Sequence, residues 1–151
     1  MPPLGGPADR QALCEALAAG VLSAVAVHHL ALDPEEQLLP LDQRKPGVAG
    51  HRFVLPCLWQ ELVRGRGWSV PQLWQALCFG PAALLGLEPP SLTVGSRLWL
   101  LFDPQRPWRA GLDALAPLAA NQPLAGATLT GQVLAAGLAP ELWRGAEGPV
   151  S

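Results

Sequence analysis

Apolar positions recur at helical spacing in four stretches of the chain and run together in two others. From Ala8 to Ala19, ADRQALCEALAA sets Leu13 and Leu17 four apart among strong helix formers, with Asp9 where a first-turn carboxylate meets the helix dipole. This predicts a helix closed by Gly20. Residues 21–27, VLSAVAV, form a short apolar run with β-branched Val21, Val25 and Val27 and no charge before them or until His28 follows. The run predicts a strand buried on both faces, and helix followed by such a strand points to a parallel α/β sheet. His28 to Arg52 contains Pro34, Pro40, Pro46, Gly47 and Gly50 together with most of the local charge, so it reads as a long loop. Residues 53–65 form a second helical stretch, with Pro56 near its start and Gly65 as a stop. A third begins at Ser69 or Val70, with Pro71 in its first turn and Leu73, Trp74, Leu77 and Cys78 at helical spacing. Pro81 permits a restart, PAALLGL, which closes at Gly86. TVGSRLWLLFDP, residues 93–104, predicts a strand that ends on the Asp103-Pro104 turn signal. The last third, with Asn121-Gln122-Pro123, Gly126, Gly131 and Gly137 as turn signals, predicts short strands such as ATLTGQVLAAG, residues 127–137, joined by turns, and the tail GAEGPVS, residues 145–151, is expected to fray.

Composition narrows the possibilities. The chain has 151 residues, 50% hydrophobic and 15% charged, enough for one domain with an apolar core and too few for two. A complete (β/α)8 barrel needs about 250 residues, so any barrel here is partial. No run of about 18 uncharged apolar residues appears, which excludes a helical membrane span. With a net charge of −2 and scattered basic residues, the chain has no electrostatic footprint for nucleic acid or anionic lipid. Cys14, Cys57 and Cys78 are too few and too far apart for a disulfide framework or a C-x2-C zinc site, and are expected as reduced, buried thiols. The N-terminal Met-Pro-Pro-Leu-Gly-Gly-Pro lacks a cationic region followed by an apolar stretch, so a cytoplasmic location is expected. Of the six tryptophans, those within helical or strand patterns are assigned to packing.

The order helix, apolar run, polar loop, two helices and then a strand running from Gly95-Ser96 to Asp103-Pro104 resembles the C-terminal part of dihydroorotase, a member of the amidohydrolase superfamily. Met1-Pro-Pro-Leu with Asp9-Arg10 and Ala12-Leu13 resembles the family's N-P-P-L-R and D-R-x-A-L segments. Ala19-Gly20 and SAVAV, residues 23–27, resemble the stretch that forms the last barrel strand, and Pro34-Glu35-Glu36 the P-E-E-K of the loop behind it. Pro46-Gly47-Val48-Ala49-Gly50 with Leu55-Pro56 resembles P-x-G-I-x-G-L-E-T-x-L-P, and Pro81-Ala82 with Leu85-Gly86-Leu87 resembles N-P-A-K-I-L-G-L. Gly95-Ser96 with Phe102-Asp103-Pro104 resembles the G-S-D-A-D-L-x-x-x-D-P strand of the small β domain. Asn121-Gln122-Pro123, Gly126 and Leu129-Thr130-Gly131-Gln132-Val133 resemble the family's N-T-P-F-x-G-x-x-L-x-G-x-V ending.

The resemblance implies an α/β fold: the C-terminal fragment of an amidohydrolase (β/α)8 TIM barrel plus part of the small β domain. Its last strand and closing helices would occupy residues 1–88 and the β strands 89–144. It also implies zinc-dependent interconversion of dihydroorotate and N-carbamoyl-L-aspartate, the metal polarising a poor electrophile and supplying hydroxide. In the family the last barrel strand ends T-D-H-A-P-H, its Asp ligating metal and moving the proton. The equivalent residues here are Val27-His28-His29-Leu30-Ala31-Leu32. His28 thus stands at the catalytic Asp position and is the candidate metal ligand, Leu32 replaces the substrate-binding His, and only His29 matches. Met1 and Gly5 replace the family's substrate-binding Asn and Arg, and Arg52 stands where the family has Glu. Pro46 and Gly47 match backbone that binds substrate, whereas Glu35 and Glu36 read as a solvated loop start. The family's H-x-H pair and remaining ligands precede the matched region, so the chain alone is expected to hold no zinc and to be inactive. An alternative is a non-catalytic subunit, or homo-oligomer, that stabilises a partner such as aspartate transcarbamoylase or a complementary barrel fragment. A further reading makes Met1 an internal start, with the rest of the enzyme encoded upstream.

Overall fold

A computed structural model describes residues 5–111, 118–137 and 142–144, the last three by backbone alone. The expectations for Met1 to Leu4 and for the tail 145–151 lie outside the described residues. Helix α1 (Pro7–Ala18) begins after extended Gly6, with Pro7 setting the first helical φ and the Asp9 carboxylate accepting the Gly6 N–H at 2.7 Å. It closes at Gly20, φ +72°, the amides of Val21 and Leu22 both donating to the Ala16 carbonyl. Cys14 is its buried residue, and Leu13 is left exposed.

Residues 21–27 correct the strand expectation: they belong to neither helix nor sheet. β-Branched residues supply propensity, but a strand also needs a neighbour's amides and carbonyls, and among the described residues none flanks this run. It is held instead by the Val25 N–H donating to the Ala76 carbonyl at 2.9 Å, with the Ser23 carbonyl seated against Gly80.

The stretch read as loop contains one turn of helix, α2 (Pro34–Gln37), and then leads into α3 (His51–Leu58). Pro56 inside α3 removes one ladder donor, and the helix continues through Arg64 with wider i→i+5 turns. Ser69 caps α4 (Val70–Trp74) reciprocally, its N–H donating to Gln72 Oε1 at 2.8 Å and its Oγ accepting the Gln72 N–H. Wide turns from Gln75 to Phe79 lead into α5 (Gly80–Leu84), where Pro81 has no N–H to contribute.

Three strands make an antiparallel meander, ordered β1 (Trp99–Arg109), β2 (Thr128–Gly137) and β3 (Leu142–Arg144). β1 corrects the expected span of 93–104, because Asp103-Pro104 does not end it. The ladder slips between Asp103 and Pro107 and resumes with Trp108 opposite Leu129, an irregularity that accommodates both prolines. The Asp103 carboxylate accepts the Gln105 N–H, and Trp108 Nε1 donates to the Gly131 carbonyl at 2.6 Å. Gly131, at φ +98°, leaves space that the Phe102 ring fills.

By contacts the chain divides into two compact units, Met1–Val27 with Leu58–Pro90, and His28–Cys57 with Ser91–Ser151. Leu62 and Leu73 are the fully buried side chains of the first; Leu32, Ala49, Phe53 and Ala110 are buried in the second. The described tryptophans are half-buried; the side chain of Trp143 lies outside the described residues. All three cysteines are free: Cys14 is buried and the other two are half-buried, burial pushing the Cys57 thiol above its ordinary range.

Candidate functional site

The residues to which the resemblance assigns chemistry, His28, Leu32, Pro46 and Gly47, all lie in the second unit. His28 is exposed and makes no hydrogen bond among the described residues. Leu32 is 6% exposed and packs as core, so the position that carries an imidazole in the family contributes burial here.

His29 has a structural task. Its Nδ1 accepts the Gly50 N–H at 3.1 Å and the His51 N–H at 3.4 Å, two of the unpaired donors at the start of α3. Its ring stacks on that of His51 with centroids 4.2 Å apart. The Nδ1 lone pair is thereby engaged by the backbone.

Asn121 organises this loop, and sequence reading gave its Asn-Gln-Pro segment only a turn and a family match. Its Nδ2 donates to the Leu30 carbonyl at 2.7 Å and the Gly47 carbonyl at 3.1 Å, while its Oδ1 accepts the Leu32 N–H at 2.9 Å. Backbone bonds from Ala49 N–H to the Asn121 carbonyl and from Ala120 N–H to the Leu32 carbonyl complete the clamp. Asn is suited to this because one side chain offers two donors and an acceptor. Part of the backbone at Pro46-Gly47 is thereby engaged internally, and a side chain at Gly47 would strike Leu30. Residue 121 is 89 positions from Leu32, and no local pattern reports a contact across that distance.

Of the two loop carboxylates, that of Glu36 is engaged by its neighbours. Glu36 accepts the Asp33 N–H at 3.1 Å and pairs with Lys45 at 2.9 Å. The Lys45 hydrogen bond, assisted by that backbone amide, holds the Glu36 carboxyl below its ordinary range, and Glu36 in turn raises Lys45. Arg52, where the family has Glu, sets its guanidinium 4.7 Å from the centroid of the Trp108 ring, which also stacks on Phe53.

The described residues do not form a site that fits the zinc the resemblance implies. Among the described residues no group of three or more His, Cys, Asp or Glu side chains comes together to hold a metal ion. His29 and His51 are close, but His29 Nδ1 is occupied and no third ligand joins them. No described helix is long and apolar enough to cross a membrane.

The architecture matches solved hydantoinases. A D-hydantoinase from Thermus sp. aligns with a TM-score of 0.80 over 97% of this chain and 34% of its own, at 20% sequence identity. An L-hydantoinase from Arthrobacter aurescens aligns with a TM-score of 0.78 over 99% of this chain and 35% of its own, at 21% identity. The fold is therefore an α/β portion of the fold of these hydantoinases. A probable dihydroorotase-like protein of Synechocystis is 40% identical over 134 residues, 89% of this chain. A dihydroorotase of Sulfurihydrogenibium sp. is 32% identical over 133 residues, 87% of this chain. The chain is thus homologous over most of its length to dihydroorotase and dihydroorotase-like proteins, and it spans 29% and 31% of the respective lengths of these two. No protein-family model matches it.

Proposed function

We propose that this chain is a dihydroorotase-like polypeptide that does not catalyse cyclic-amide hydrolysis by itself. The observation that carries this reading is the loop His28–Leu32: an exposed imidazole stands where the resemblance puts a carboxylate, a buried leucine where it puts a substrate-binding imidazole, and no three-ligand group is described around them. Without a metal-generated hydroxide or a polarised carbonyl, the remaining groups offer no route to attack on a ring amide. Pro46 and Gly47 act in this reading as the clamped wall of the loop, and His28 as a solvated side chain. The purified chain, supplied with zinc, is expected to leave dihydroorotate and N-carbamoyl-L-aspartate unchanged above the buffer rate. The double variant His28→Asp, Leu32→His is expected to stay equally inactive, because two restored residues do not make a metal centre. Zinc-dependent turnover by the unaltered chain would contradict the reading.

A second reading, a non-catalytic subunit that stabilises a partner such as aspartate transcarbamoylase, is favoured by large apolar side chains left at the surface. Val21, Leu84, Leu85 and Leu87 in the first unit are each at least 60% exposed. Co-purification with that enzyme at a fixed stoichiometry would support it, and failure to associate at micromolar concentrations would remove it.

A further inference from the structure

We draw no further inference here: the strongest candidate, the apolar surface patch of Leu38 and Leu41 on the loop between α2 and α3, is exposed, and nothing in the structure shows what covers it.

Discussion

Replacing Asn121 by Leu is expected to destabilise the second unit by roughly 3 kcal/mol, about 1 kcal/mol for each of three lost side-chain hydrogen bonds. The direction is set by what remains: the Leu32 N–H and the Leu30 and Gly47 carbonyls lose their partner, while the added apolar surface is close to that of the amide removed. Asn121→Asp is expected to be no milder. It preserves the acceptor for Leu32 but turns a second oxygen towards two carbonyls at the position of Nδ2. Urea unfolding gives the magnitude, and faster amide exchange at Leu32 locates it. A loss below about 0.5 kcal/mol with unchanged exchange would show that the clamp contributes little.

Gly80→Val is expected to cost roughly 3 kcal/mol in the first unit. In an open helix, replacing Gly by a side chain gains up to about 1 kcal/mol of propensity, so the sign depends on space. Here the new Cβ would coincide with the Ser23 carbonyl and stand 2.8 Å from the Gln75 carbonyl. Ser23 cannot withdraw without straining the Val25–Ala76 hydrogen bond. Thermal unfolding should therefore fall well below that of the parent, with Gly80→Ala intermediate. An unchanged or raised midpoint would mean that residues 21–27 do not rest on α5.

The helices were largely legible because their signals are local. Asp9 and Pro7 at the start of α1, and the Ser69–Gln72 box before α4, act within four residues of themselves. The errors arose where partners are remote. Val21, Val25 and Val27 have strand propensity, but a strand is a pairing, and among the described residues no ladder lies beside them. Asp103-Pro104 reads as a turn until β2 is present to carry the ladder past it. The candidate site divides in the same way. The substitutions at residues 28 and 32 could be read against the family motif, whereas the tasks of His29 and Asn121 depend on the Gly50 and Leu30 backbones that folding brings to them.

Zinc stoichiometry decides whether the proposal that this chain holds no metal centre of its own stands. After equilibrium dialysis of the purified chain against micromolar zinc, elemental analysis is expected to find less than about a tenth of a zinc ion per chain, unchanged by His28→Ala. One tightly held zinc per chain, lost when His28 is replaced, would contradict it.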